Sequence, residues 1–146
     1  INSGQPLTKK DEAIWDLYTG QVTKEYDLRN FEDGFTLFPQ EGALLHTKDV
    51  ITIPNGMAGL LLLKSSRGRE WWQHAFSGWF DPGFSGQGVL EVYAPVVPIN
   101  IKYEMLVAQI VLFEAEGVTV PYGDPRRISH YQHQRGATAS WLTEVA

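Results

Sequence analysis

Apolar residues fall along the chain in short runs, and a glycine or proline closes most of them within a few positions. The runs are Phe35–Phe38, Ala43–His46, Val50–Ile53, Gly59–Leu63, Gly88–Tyr93, Ile99–Tyr103, Met105–Phe113 and Val118–Val120, with many β-branched and aromatic residues. Many short strands with frequent turns predict an all-β barrel or jelly roll. In the run ending at Tyr93, strand alternation puts Val89, Glu91 and Tyr93 on one face and Leu90 and Val92 on the other. Met105–Phe113 is apolar on both faces. It predicts a central, buried strand in which Gln109 must find hydrogen-bond partners. Helical spacing is confined to the N-terminal stretch, where Ile14, Leu17 and Tyr18 follow Asp11 and Glu12 and Gly20 is a stop. One short helix is predicted there.

Composition narrows the function classes. The 146 residues fit one domain over 1–146, with a variable segment at 1–25 and a C-terminal arm at 122–146. Twelve basic against seventeen acidic residues give a net charge of −5, without the global basic footprint of a nucleic-acid binder. No cysteine is present, which removes disulfides and every cysteine-bearing zinc site. No apolar run approaches the roughly 20 residues of a membrane span. No membrane or nucleic-acid partner is therefore expected, and the cytoplasm is the expected compartment. The chain opens on Ile1 rather than Met, so its start is expected to be processed, trimmed or incomplete.

Four constellations have chemical potential. Lys64-Ser65-Ser66-Arg67-Gly68-Arg69 follows an apolar run and offers hydroxyls, turn amides and cations to an anion, or is an ordinary polar turn. In Gly78-Trp79-Phe80-Asp81-Pro82-Gly83-Phe84-Ser85-Gly86, Asp81 activates water or orients a hydroxyl, or accepts turn amides as a structural residue. Glu91 is a solvated strand residue, or pairs with Asp81 one hairpin away for acid–base work. From Tyr122 the tail carries Arg126, Arg127, His130, His133 and Arg135. It reads as a phosphate-binding arm or as a solvated tail. His130 and His133, without a further ligand, are not read as a zinc site.

In this order the pieces resemble the trimeric dCTP deaminases, relatives of the dUTPases, from about Gly34 to Ser140. The family pattern Arg-Ser-Ser-x-x-Arg is met by Lys64–Arg69. Ala-Gly-x-Ile-Asp-Pro-Gly-x-x-Gly is met by Ser77–Gly86, Leu-Glu by Leu90-Glu91, and Tyr-x-x-Gln-x-Gly-x-x-x-Ser by Tyr131, Gln134, Gly136 and Ser140. The resemblance implies a distorted β-barrel or jelly roll of the dUTPase-like type. It implies a homotrimer with shared active sites and a deoxynucleoside triphosphate bound with Mg²⁺ and without zinc. It makes Glu91 the general base that activates water against C4 of cytosine, with Ser65 and Arg69 around that water. Lys64 and Ser66 would sit with the phosphates. Phe76, Ser77 and Gly78 would read the base, Asp81 would hold the 3′-hydroxyl, and Tyr131 and Gln134 would close over ribose and phosphates.

The expected reaction is dCTP to dUTP and ammonia. The alternatives are a dUTPase-type pyrophosphatase, or an enzyme of both activities, using Asp81, and a catalytically silent nucleotide binder. The chain departs from the family at Lys64 (an arginine), Glu70-Trp71-Trp72 (a Leu-Gly-Leu-like stretch), Phe76-Ser77 (Thr-Ala), Glu104 (a turn glycine) and His130 (a lysine). The family's N-terminal strand is not evident, and Tyr26–Arg29 is assigned to the strand that follows it.

Overall fold

The computed structural model describes residues 2–9 and 26–28, as backbone strands, together with residues 34–74 and 77–138. The predicted helix at Asp11–Gly20, the expected site residue Phe76 and the motif residue Ser140 lie outside them. The described chain is almost wholly β. Its strands are β1 (Asn2–Lys9), β2 (Tyr26–Leu28), β3 (Phe35–Leu37), β4 (Gly42–Thr52), β5 (Met57–Leu63), β6 (Gln73–His74), β7 (Trp79–Phe80), β8 (Ser85–Tyr93), β9 (Ile99–Ile101) and β10 (Ala108–Glu114). A single described helix, α1 (Ser65–Arg69), lies between β5 and β6. No described helix is long and apolar enough to cross a membrane.

The strands form a five-stranded sheet in the order β2-β1-β4-β8-β6, a three-stranded sheet β10-β5-β7 and a two-stranded sheet β3-β9. The all-β expectation holds, but no closed barrel joins the described strands. Tyr26–Leu28 pairs with β1 rather than extending into β3, which pairs with β9. The expectation that it belonged to the following strand is therefore corrected.

The centre of the fold is the β4–β8 pair. Along β8 the even positions Gly86, Gly88, Leu90 and Val92 are buried and the odd ones are half-buried, as alternation requires. Gly88 lets Phe80 and Ile51 pack close to the strand, since a Cβ would lie 3.0 Å from the Phe80 ring and 3.2 Å from Ile51. The two predicted runs Ala43–His46 and Val50–Ile53 belong mostly to one strand, β4, broken by a register shift between His46 and Val50. Thr47 satisfies that bulge, since its hydroxyl donates to Asp49 O (2.8 Å) and accepts from Gly88 N–H (2.9 Å). Leu37, Leu45, Leu90, Val92, Ile101 and Val107 fill the core. Burying such a side chain stabilises the fold by about 1.5–3 kcal/mol.

The strand expected to be central is not. β10 pairs only with β5 among the described strands, and Val111, Leu112 and Phe113 are exposed. Gln109 faces outward and needs no internal partner. One face reaches the core through Leu61, Ala108 and Ile110, while Leu62, Val111, Leu112 and Phe113 stay exposed. Val118–Val120 forms no strand.

Candidate active site

Two groupings of polar side chains lie along β8. The first is at its start. Asp81 follows β7 in a turn closed by Phe84 N–H to Asp81 O. Its carboxylate accepts a hydrogen bond from Arg127 Nη2 at 2.9 Å, and the guanidinium lies 5.2 Å from the centre of the Tyr122 ring. The tail is stitched to this end of the strand. His133 N–H donates to Ser85 O (2.7 Å), Gln87 N–H to Gln134 O (3.1 Å), Gln134 Nε2 to Gln87 O (2.6 Å) and Gly136 N–H to Gln87 Oε1 (2.7 Å). Tyr131 N–H donates to the Tyr122 hydroxyl (2.8 Å), and Tyr131 packs against the core. The described part of the tail is thus a folded strap on its own β8.

The second grouping is toward the far end. Glu91 lies six residues beyond Ser85, about 20 Å of extended strand. It faces Leu44 across the β4 pairing. Its Oε2 is buried, has no hydrogen-bond partner and lies 3.7 Å from His74 Nε2, which is also buried and unpartnered. Burial pushes the Glu91 carboxyl above the usual carboxylate range and holds the His74 imidazole below its usual value. A half-buried carboxyl whose proton affinity is raised by burial is better suited to proton transfer than a solvated one. Asp81 and Glu91 share no hydrogen bond or ion pair, so the expected adjacent carboxylates are found in separate surroundings.

The Lys64–Arg69 motif forms α1 and not a plain turn. Arg67 is turned inward, with its guanidinium 5.5 Å from the Trp72 ring and Nη1 2.6 Å from Glu70. Lys64, Ser65, Ser66 and Arg69 make no side-chain hydrogen bond or ion pair with another described residue, and Ser65, Ser66 and Arg69 are exposed. They are open to an anion. Beyond α1, Trp71 adopts φ 62° with its ring exposed, and Glu104 adopts φ 54°. Both stand where the sequence resemblance places glycine, so the backbone keeps a left-handed turn that glycine favours. Ser77 is exposed, and Gly78 accepts Leu61 N–H at 2.8 Å. A cavity of about 150 Å³ near Leu61, Leu90 and Leu106 has no ionisable side chain in its lining, so it offers no acid–base chemistry.

Sequence reasoning left His74, Tyr122 and Arg127 without individual roles. Arg127 carried a signal as part of the basic tail. His74 carried none, because its nearness to Glu91 depends on the β6–β8 register.

The sequence model of a family described as dCTP deaminase-like matches residues 3–115. The chain belongs to that family. Among curated relatives, the dCTP deaminase, dUMP-forming, of Acidothermus cellulolyticus is 40% identical over 112 residues, 75% of this chain and 59% of that protein. The protein of the same name from Streptomyces griseus gives the same identity and coverage. That of Corynebacterium glutamicum is 40% identical over 111 residues, 74% of this chain and 59% of its own. The chain therefore spans about 59% of the length of these relatives. The crystal structure of 2′-deoxycytidine 5′-triphosphate deaminase from Agrobacterium tumefaciens shares the fold, with a TM-score of 0.56 and 22% identity over 62% of this chain and 30% of that one.

Proposed function

We propose that the protein deaminates dCTP by hydrolysis, with Glu91 as the general base, and that the nucleotide product is dUMP. The observation that carries the reading is the Glu91 carboxyl: half-buried, raised in pKa, and fixed on β8 of a dCTP deaminase-like domain. Glu91 takes a proton from water as the oxygen attacks C4 and delivers it to N3. It then takes the remaining hydroxyl proton and gives it to the amine, which leaves as ammonia. One carboxylate serves both transfers if it stays within hydrogen-bond reach.

The relatives' name, dUMP-forming, favours the two-activity alternative over release of dUTP. A second water then attacks the α-phosphorus and pyrophosphate leaves. In this reading Asp81 holds the 3′-hydroxyl and serves the second hydrolysis. Ser65 and Arg69 surround the first water, Lys64 and Ser66 meet the phosphates, and Phe76, Ser77 and Gly78 read the base. Tyr131 and Gln134 cover ribose and phosphates.

Among the described residues no three His, Asp or Glu side chains converge as a metal cage. We place Mg²⁺ on the substrate triphosphate, where it would offset phosphate charge. The proposed assembly is a homotrimer. Two features support it: among the described residues Glu91 and the Asp81 strap share no hydrogen bond or ion pair, and the exposed Leu62, Val111, Leu112 and Phe113 leave an apolar surface for another copy. The test is incubation with each dNTP and Mg²⁺, followed by separation of ammonia, pyrophosphate and nucleotides. Ammonia from dCTP alone, with dUMP and pyrophosphate, supports the reading. Pyrophosphate without ammonia replaces it with the pyrophosphatase alternative, and no product with the silent binder.

A further inference from the structure

Resting on the deaminase reading, we propose that His74 is a positioning residue for Glu91: its Nε2–H donates to Glu91 Oε2, leaving Oε1 to meet water. β6 is only two residues long, and its pairing with Tyr93 and Val92 brings His74 to the Glu91 region of β8. The two atoms are 3.7 Å apart, beyond hydrogen-bond length, yet each is buried and neither has another partner. Buried polar atoms are ordinarily paired, and hydrogen bonds at unliganded active sites are often long until substrate arrives.

The other neighbours do not compete for Oε2. Leu44 lies opposite on β4, and β5 has no ionisable residue. His46 on β4 shares its Nδ1 with Thr47 O, and the Tyr93 hydroxyl donates to Gln40 Oε1. Arg67 on α1 gives Nη1 to Glu70 and lies over Trp72; its Nε is also buried without a hydrogen-bond partner, but the ion pair of Arg67 is with Glu70 and that of Glu91 is with His74. Among the described residues His74 is thus the one basic side chain with a nitrogen within 4 Å of the carboxylate oxygens. Burial keeps its ring neutral, so it donates a hydrogen bond without trapping Glu91 in an ion pair.

The test follows the Glu91 carboxyl by infrared difference spectroscopy across pH, with Glu91→Gln identifying its band. This readout needs no turnover. His74→Phe removes the donor and should raise the Glu91 titration by about one to two pH units. The acidic limb of the kcat profile should move up with it. His74→Gln retains an amide donor and should restore most of the wild-type titration, which a merely space-filling role does not predict. An unmoved Glu91 band in a folded His74→Phe protein overturns the proposal, as does a His74→Gln band displaced as far as that of His74→Phe. If the band moves while the wild type releases no ammonia from dCTP, the His74–Glu91 contact stands and the deaminase reading fails.

Discussion

Gly78 offers the sharpest test of how the fold holds the segment assigned to the base. A Cβ at this position would lie 2.6 Å from Leu61 O and 3.5 Å from Leu61 C and N, where ordinary contact begins at 3.4 Å. The obstacle is backbone, so no rotamer change relieves it. Gly78→Ala must part the two strands by about 0.8 Å, which breaks the 2.8 Å bond from Leu61 N–H to Gly78 O. Overpacking costs about 1–3 kcal/mol, and a lost buried hydrogen bond about the same again. The total, about 2–6 kcal/mol, is a large share of the roughly 5–15 kcal/mol that stabilises a domain. With a urea slope near 2 kcal/mol per molar, the unfolding midpoint should fall by about 1–3 M at fixed protein concentration. Gly68→Ala is the control, because a Cβ there meets nothing within 4 Å and alanine suits α1 better. Its midpoint should stay or rise. A Gly78→Ala midpoint within about 0.3 M of wild type would refute the steric argument.

The His74 ring is held below its ordinary value of 6.5 by burial, so its contribution to stability is present above 6.5 and lost as pH falls through the folded value. The melting temperature should drop between about pH 7.5 and pH 5, and His74→Gln should flatten that drop; Glu91, raised by burial, acts with the opposite sign in both proteins. Gln87→Ala removes the Oε1 that holds Gly136 N–H, so hydrogen exchange at 131–138 should quicken while the β4–β8 core stays protected; equal exchange would mean the strap does not depend on this contact. Removal of Mg²⁺ by a chelator should stop turnover, and Zn²⁺ should not restore it; restoration by Zn²⁺ contradicts a metal carried by the triphosphate.

Much of this arrangement was legible in the sequence, for physical reasons that differ from element to element. The alternation in β8 is strict because one face packs against Phe80, Ile51 and the core, so the face that Glu91 occupies could be read directly, while its half-burial beside His74 could not. Ala43–His46 and Val50–Ile53 were visible as separate runs. That they form one bulged strand depends on the Thr47 hydroxyl, which periodicity does not report. β10 was misread because an apolar strand buried by its own chain and one left open at a sheet edge have the same composition. α1 is too short to show a helical period, and its Ser-Ser-Arg-Gly-Arg sequence favours a turn as readily. Trp71 and Glu104 stand where glycine was expected, yet both keep a positive φ, so local conformation outlasted the residue that best suits it. Asp81 and Glu91 were identified individually. Their separation, and the contacts with Arg127 and His74, depend on strand register and tail packing.

The central claim is that Glu91 performs the deamination, and ammonia release from dCTP and Mg²⁺ by wild type and Glu91→Gln tests it most directly. The variant keeps the side-chain shape but cannot accept the water's proton. Loss of a general base typically costs about 10²–10⁴-fold in rate, about 3–5 kcal/mol of barrier. The account predicts a loss of that size in ammonia release, with dCTP binding by calorimetry preserved. Ammonia release by Glu91→Gln within about threefold of wild type would contradict it, since threefold is far below the contribution of a general base.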